Sequence, residues 1–318
     1  MNEIPVYLFF GFMDSGKTTM ICDTLLKNGF AEGLSAPLII ACEDGEIEYE
    51  EDKLAAIGAH VVMIEDPKDF TGERLKELDK EYEPDAVFIE FNGTWESSLI
   101  YEMEGPQTWT IVQSLCVVDA TTFEMYLKNM GTMMREQLFR PEVVIFNRCT
   151  DSTPKAKFRA NVKSVNRPAQ IVYERADGTI DDTPEELPYD ITQNELDITD
   201  ADYAIWFSDC MEHPKQYDGK VVTFRALVYN PKEGKGRLKP GVIVPGRFVM
   251  TCCIEDTEFR GMKCKVTADQ EVEHKSWIDL KARVKYEFAR EYKGKGPVLY
   301  PVEITPAEQP EDPLCYFS

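Results

Sequence analysis

A segment close to the N-terminus combines glycine, lysine and threonine at a spacing typical of phosphate binding. Residues Gly11–Thr18, which read GFMDSGKT, fit the pattern G-x-x-x-x-G-K-[ST] at every required position. The two glycines let the backbone curl, so that successive N–H groups point towards phosphate oxygens. Lys17 brings a positive charge to the β- and γ-phosphates, and the Thr18 hydroxyl is of the type that holds Mg²⁺. The motif predicts a nucleotide site with contacts from Gly11, Asp14, Ser15, Gly16, Lys17, Thr18 and Thr19.

Two acidic positions follow short apolar runs, where buried strands would end. Glu90 ends the run Asp85–Glu90, and Glu43 or its neighbour Asp44 follows the run Pro37–Ala41. The carboxyl ends of parallel strands form the crevice in which open α/β sheets bind their ligands. Carboxylate oxygens are ligands that Mg²⁺ prefers, and a carboxylate can also orient an attacking water. The predicted catalytic groups are Lys17, Glu43 and Glu90, and the predicted Mg²⁺-side groups are Thr18, Glu43 and Glu90.

A later apolar run ends in polar residues that could bind the base of the nucleotide. The run Val143–Phe146 is followed by Asn147, Arg148 and, after two more residues, Asp151. This strand end belongs to the same ligand-binding edge of a parallel sheet. We therefore predict that these three side chains lie beside the base.

The segments that must position these residues alternate between two patterns. Short continuous apolar runs, typical of strands buried on both faces, alternate with amphipathic helical patterns. Strands are predicted at 6–10, 37–41, 60–64, 86–90, 114–118, 143–146 and 170–173, and helices at 17–27, 70–82, 123–138 and 155–165. The alternation predicts a doubly wound, mostly parallel sheet with helices on both faces, the architecture of an α/β P-loop NTPase.

The second part of the chain has a different pattern. Residues 179–201 are acidic, contain two prolines and show little periodicity, which indicates a linker between a first domain, 1–178, and a second domain, 202–318. After a helical segment at 203–217, strand patterns follow closely at 221–229, 247–254, 262–266, 277–288 and 298–304. This spacing predicts a smaller, mainly antiparallel β barrel or sandwich.

Charge and composition exclude several classes of partner and location. The formal net charge of −22 lies entirely in residues 1–200, which carry 39 acidic and 17 basic side chains, whereas residues 201–318 carry 18 of each. Nucleic acid and anionic membranes are disfavoured as partners, because like charges repel. No run approaches the roughly 20 apolar residues of a membrane span, and the N-terminus lacks the basic region of a signal peptide. With nine cysteines and no C-x-x-C pair, we expect a cytoplasmic protein with free thiols.

The first domain resembles the CobW-type G3E GTPases over about residues 4–174, through the segments GFMDSGKTT, FIEFNG, CVVDATTF, REQL and FNR. The resemblance implies a GTP hydrolase that uses Mg²⁺ and takes part in metal homeostasis or metallocofactor assembly. It implies that Glu43 lies on the Mg²⁺ side and that Glu90 takes the place of the third-motif acid. Asn147 then corresponds to the asparagine of the guanine-reading motif NKxD.

Two positions depart from this family pattern. The metal-binding CxCC expected between Glu46 and Asp85 is absent, so the usual thiolate zinc site is not predicted and Zn²⁺ stays undecided. In the NKxD motif, Thr150 stands where the guanine-binding aspartate is expected, and Asp151 follows one position later. A site that leaves the N–H groups of guanine unpaired discriminates weakly. ATP therefore remains an alternative to GTP.

The second domain resembles the soluble C-terminal domain of a two-subunit bacterial permease family, through YDGKVVTF, RFVMTCCIED and DPLCY. A permease or a metalloprotein is therefore an expected client. Cys252 or Cys253 with Cys264 and His274 could form a metal site, although they lack the compact C-x₂₋₄-C spacing of zinc modules. Buried, inert thiols are the alternative.

Three functions remain open on the sequence. The first is a regulatory GTPase in metal handling or transport. The second is a nucleotide-binding adaptor with little turnover, whose β domain docks a partner. The third is an ATPase, because the base-reading motif is altered at Thr150. The sequence does not select an oligomeric state.

Overall fold

The computed structural model of the chain describes residues 3–232, 238–250, 257–267 and 270–317. The residues separate into two compact units. The first unit consists of Met1–Thr153 and Val165–Thr183, and the second of Pro154–Ser164 and Pro184–Ser318. No helix in the described ranges is long and apolar enough to cross a membrane.

The first unit contains seven strands joined by helices. The strands are β1 (Ile4–Phe10), β2 (Pro37–Ala41), β3 (His60–Met63), β4 (Ala86–Glu90), β5 (Trp109–Asp119), β6 (Val143–Cys149) and β7 (Gln170–Arg175). The helices are α1 (Lys17–Leu26), α2 (Glu51–Ala56), α3 (Gly72–Tyr82), α4 (Ser98–Tyr101) and α5 (Phe123–Phe139). The strand order is β3-β2-β4-β1-β5-β6-β7, and every pairing is parallel. The predicted doubly wound parallel sheet is confirmed.

The middle strands of this sheet are apolar up to their carboxyl ends because both faces are covered. β2 and β4 are buried at every position. On one face, Phe9, Ile39 and Phe88 of the sheet pack with Ile21 and Leu25 of α1. The order β2-β4-β1 makes the carboxyl ends of these three strands neighbours, and the predicted phosphate and Mg²⁺ residues all follow those ends.

The second unit combines helices with a strongly bent sheet. Its helices are α6 (Lys155–Val165), whose last residue belongs to the first unit, and α7 (Tyr203–Glu212), with 3₁₀ helices at Pro214–Tyr217 and Arg290–Tyr292. Its strands are β8 (Glu195–Asp197), β9 (Val221–Tyr229), β10 (Val242–Met250), β11 (Thr257–Gly261), β12 (Cys264–Lys265), β13 (Trp277–Ala289), β14 (Gly294–Pro306) and β15 (Leu314–Tyr316).

The sheet of the second unit closes on itself. The ring runs β9-β10-β12-β14-β13 and returns to β9, which pairs with both β13 and β10. Within the ring only the β12–β14 pairing is parallel. Alternate residues of β13, Ile278, Leu280, Ala282 and Val284, are buried in the core, as expected when one face of each strand points into a barrel. The predicted β-rich second domain is confirmed as a mixed sheet that forms a barrel.

Two segments differ from their sequence interpretation. The sequence pattern groups α6 with the first domain, but Ala156 and Ala160 lie in the core of the second unit with Trp206. The stretch 179–201 has the composition of a linker, yet it contains β8, and Leu196 is buried in that same core. A three-residue strand is too short to show a period, and the partner of an amphipathic helix face is not encoded in its periodicity.

Candidate nucleotide-binding site

The loop between β1 and α1 curls at two glycines. Gly11 has a φ of 130° and Gly16 a φ of 102°, in the region that residues with a Cβ rarely adopt. A Cβ added at Gly11 would lie 2.2 Å from Val117 O, and one at Gly16 would lie 2.6 Å from Asn147 Nδ2. The loop therefore accepts only glycine at both motif positions.

Lys17 lies at the centre of the loop and is 2% exposed. Its ammonium group donates to Gly11 O and Phe12 O at 2.9 Å each and to the Glu43 carboxylate. The second oxygen of Glu43 accepts from Gly93 N at 3.2 Å. An ammonium group has three N–H donors, so all of them are engaged. The buried lysine and the strand-end glutamate therefore form one ion pair beneath the loop.

The Thr18 hydroxyl and the Glu90 carboxylate lie side by side. Thr18 Oγ1 donates to Glu90 Oε1 at 2.8 Å, and the Tyr49 hydroxyl donates to Glu90 Oε2. Burial raises the pKa of Glu90, while the hydrogen bond from Tyr49, the charge of Lys17 and the hydrogen bond from Thr18 oppose that rise. A hydroxyl beside a carboxylate is an oxygen donor set of the kind that Mg²⁺ binds, so these residues fit the cation.

Asn147 lies behind the loop, at the carboxyl end of β6. Its Nδ2 donates to Ser15 O at 2.7 Å. Its Oδ1 atom and the Ser15 Oγ atom are buried and have no hydrogen-bond partner among the described residues. Buried polar atoms are normally paired. These two oxygens are therefore candidate contacts for a ligand.

Arg148 is held between β5 and the loop. It forms an ion pair with Asp119 and donates to Asp14 O at 3.2 Å. Burial favours a raised pKa for Asp119, but the hydrogen bonds from Thr121 and Arg148 outweigh burial and hold that pKa below its usual value. The guanidinium group is thus fixed beside the loop that would carry the phosphates.

A cavity of about 650 Å³ borders the loop at Gly16. Gly16, Thr19, Asn147 and Arg148 are among the residues that line it, and its volume is in the range of small-molecule sites. Asp151 is not part of this lining. Its side chain is 89% exposed and forms an ion pair with Arg175 at 2.8 Å.

The structure thus brings together most of the residues that the sequence predicts for the site, listed here with those of the loop: Gly11, Ser15, Gly16, Lys17, Thr18, Thr19, Glu43, Glu90, Asn147 and Arg148. The Asp14 side chain instead accepts from Glu46 N at 3.2 Å, and Asp44 is exposed. Asp151 is exposed and paired with Arg175, which itself lines the cavity.

Three residues of the site are not among those predicted from the sequence. They are Tyr49, Asp119 and Gln137, whose Oε1 atom accepts from Gly11 N at 3.0 Å. Asp119 could have been predicted as a site residue from the sequence, because it ends an apolar strand as Glu90 does. Gln137 lies in the segment REQL, and nothing local in the sequence links that segment to the loop.

The second unit supplies no comparable site among the described residues. Cys252 and Cys253 lie outside those residues. Cys264 is fully buried, and burial raises the pKa of its thiol to about 12. His274 Nδ1 lies 3.1 Å from Asn230 N and accepts its hydrogen bond. No group of three or more His, Cys, Asp or Glu side chains in the described ranges is arranged to hold a metal ion.

Gly93 gives a direct test of the packing around the loop. A Cβ at this position would lie 2.5 Å from Gly11 O and 2.7 Å from Phe12 Cα, so the loop must shift. We expect Gly93→Ala to weaken binding of a fluorescent GTP analogue by about tenfold or more, because small displacements of a site are costly. Gly105→Ala is the matched control, since its Cβ would meet only Leu75 Cδ1 at 3.9 Å. Equal affinities for the two variants would contradict the prediction.

Each part of the chain matches a known protein family. A family model described as CobW/HypB/UreG, nucleotide-binding domain, matches residues 5–173, and a model described as the DUF1980 C-terminal domain matches residues 174–317. No curated protein matches the chain.

Two of the solved structures to which the chain is similar are the following. The Zn(II)-bound YjiA GTPase from E. coli is 16% identical, with a TM-score of 0.43 over 71% of this chain and 73% of that one. The hydrogenase maturation factor HypB from Archaeoglobus fulgidus is 15% identical, with a TM-score of 0.39 over 55% of this chain and 82% of that one. The two family matches confirm the order of domains that the sequence resemblances indicated.

Proposed function

The chain belongs to the CobW/HypB/UreG family of nucleotide-binding domains through residues 5–173, and from that membership we propose that it binds GTP with Mg²⁺ and hydrolyses it. The observation that carries the proposal is the arrangement around Gly11–Thr18, in which Lys17 is paired with Glu43 and Thr18 with Glu90. Phosphoryl transfer to water needs positioning and charge stabilisation more than covalent chemistry from the protein. A buried cation flanked by two orienting carboxylates suits that task.

Each residue of the site has a role in this proposal. Lys17 would exchange the Glu43 carboxylate for phosphate oxygens, and the N–H groups of the loop would bind the remaining oxygens. Thr18 and Glu90 would hold Mg²⁺, which when bound neutralises charge on the β- and γ-phosphates. Glu43, once released by Lys17, would be free to orient the attacking water through the oxygen that Lys17 now occupies, while its other oxygen accepts from Gly93 N.

The preference for GTP rests on Asp151. Between Phe146 and Cys149, β6 carries one more residue than β7, and Arg148 in this bulge has a φ of 54°. A bulge adds a residue without advancing the strand, so it supports the assignment of Asp151 to the aspartate position of the motif despite its displacement by one residue. The Asp151 carboxylate forms an ion pair with Arg175, one of the residues that line the cavity. These features support Asp151 as the acceptor of the guanine N–H groups.

Asp151→Ala tests the base preference. We expect it to weaken GTP binding by about tenfold or more and to leave ATP binding unchanged, because only guanine loses paired N–H groups. Asp182→Ala, an exposed position with the same loss of charge, is the control. Competition between fluorescent and unlabelled nucleotides measures both affinities. If the ratio of GTP to ATP affinity does not change, Asp151 does not read the base and the ATPase alternative gains support.

The proposal as a whole is tested by titrating fluorescent GTP and ATP analogues with Mg²⁺ and then measuring phosphate release. Wild-type protein, Glu90→Gln and Lys17→Ala are compared. GTP binding with turnover that falls in Glu90→Gln supports the GTPase. Binding with turnover no greater than that of Lys17→Ala supports instead a nucleotide-binding adaptor, whose second unit would dock the partner. A wild-type protein that binds neither nucleotide contradicts both.

The cellular role is inferred at the level of the family. We infer a part in metal homeostasis, with a metalloprotein or permease as client, from the two family matches together. Seven free cysteines among the described residues support a reducing, cytoplasmic location. Phosphate release with and without stoichiometric Zn²⁺ tests the metal role: a change in turnover supports it, and identical rates oppose it.

A further inference from the structure

The two loop groups that would meet Mg²⁺ and nucleotide are both engaged by carboxylates of the protein. All three donors of Lys17 are used, one of them by Glu43. The Thr18 hydroxyl donates to Glu90. A ligand must therefore displace carboxylate contacts before it reaches either group.

The segment Asp44–Glu50, which we call the covering loop, is hydrogen-bonded to the phosphate-binding loop. It begins directly after Glu43, and near its middle Glu46 N donates to Asp14 Oδ1 at 3.2 Å. Asp14 has a φ of 59°, unusual for a residue with a Cβ. At the far end of the segment, the Tyr49 hydroxyl donates to Glu90. The covering loop thus contacts the phosphate-binding loop at its tip and the Mg²⁺-side carboxylate at its end.

Tyr49 is the residue that anchors this segment to the protein. Most other side chains of the covering loop are exposed, including Ile47 at 51%. The Tyr49 ring packs against the core formed by α1, α2 and the sheet, and its hydroxyl reaches Glu90 Oε2. Since Thr18 uses Glu90 Oε1, both oxygens of the carboxylate are occupied by protein donors.

We propose that Tyr49 is a positioning residue that holds the covering loop closed over the phosphate-binding loop, so that Mg²⁺ and nucleotide enter only when its hydroxyl leaves Glu90. The proposal rests on the proposed nucleotide function and adds to it a residue that controls entry. The carboxylate oxygen that Tyr49 occupies is a hard-cation ligand, so phenol and cation compete for it. Apparent affinity is then the intrinsic affinity multiplied by the fraction of protein with the loop open.

Tyr49→Phe removes the hydroxyl and keeps the ring. We expect the variant to bind the Mg²⁺ complex of a fluorescent GTP analogue about tenfold more tightly, mainly through faster association, the size expected for one hydrogen bond to a charged acceptor. Hydrogen exchange of the Asp44–Glu50 amides, measured without added nucleotide, should be faster than in wild type. Tyr82→Phe in α3 is the control and should match wild type in both measurements.

These measurements distinguish a failure of the Tyr49 proposal from a failure of the proposed nucleotide function. Unchanged or weaker binding by Tyr49→Phe, while wild type binds nucleotide, overturns the proposal, and so does unchanged exchange at Asp44–Glu50. If no variant binds nucleotide, wild type included, the proposed function fails, whereas the exchange measurement still decides whether Tyr49 holds the loop. If circular dichroism shows that Tyr49→Phe folds poorly, Asp14→Gly is the second variant. Glycine suits the φ of 59° at this position, and the change removes the hydrogen bond from Glu46 N. Hydrogen exchange of the Asp44–Glu50 amides should then also be faster than in wild type.

Discussion

Lys17→Ala is expected to lower the affinity for GTP by about a hundredfold or more, because it removes the buried cation and leaves Glu43 facing the phosphates. The same change leaves a buried carboxylate without its partner, which costs about 3–5 kcal/mol of stability at neutral pH.

A second substitution separates the two effects. The double variant Lys17→Ala with Glu43→Gln contains no unpaired charge, so it should recover most of the lost stability without recovering GTP affinity. Lys80→Ala, on the exposed side of α3, is the control for loss of one lysine. Urea unfolding and titration with a fluorescent GTP analogue measure stability and affinity. A Lys17→Ala protein that binds GTP as wild type does would show that the loop is not a nucleotide site.

Arg159→Met is expected to destabilise the second unit by about 3–5 kcal/mol, as when one partner of a buried ion pair is removed. Arg159 in α6 is 7% exposed and contacts Glu185 and Asp209 at 2.6 Å each, as well as Glu212. Burial alone would lower the pKa of the guanidinium, but the three carboxylates raise it. Methionine fills much of the same volume, so the loss reports charge and hydrogen bonding more than packing.

The matched control for Arg159 is Arg225→Met in the same unit. Arg225 also pairs with a carboxylate, Asp279 at 2.8 Å, but both side chains are about two-fifths exposed, 38% and 42%. Exposed pairs contribute about 0–1 kcal/mol, so this variant should unfold close to wild type. Urea unfolding of the full chain, with hydrogen exchange of the α7 amides as a local probe, measures both. Equal losses for the two variants would mean that the Arg159 cluster is not a buried network.

The glycine-rich motif and the class of the first domain can be recognised from the sequence. The spacing of Gly11, Gly16, Lys17 and Thr18 is a local property, because the backbone curl and the helix start involve consecutive residues. Continuous apolar runs that alternate with helical patterns likewise indicate strands buried on both faces, as in a parallel sheet. Glu43 and Glu90 could be proposed because each follows such a run.

Some sequence expectations still await experiment. The position of Asp151 one residue late in the motif left GTP and ATP open, and the bulge in β6 is an observation on which we base the proposal of GTP. The Asp151 carboxylate is exposed and paired with Arg175, so its contact with a base stays a prediction.

The residues that meet across long distances in the sequence are visible only in the folded chain. Tyr49 contacts Glu90, Arg148 contacts Asp119, and Gln137 contacts the loop because the strand order and the path of α5 bring these segments together. α6 packs in the second unit for the same kind of reason. The periodicity of a helix or strand indicates which of its faces is buried. It does not indicate which other element covers that face, since any apolar surface of the right size can do so. Contacts between residues distant in the chain depend on the order in which strands pair, and a list of strands does not contain that order.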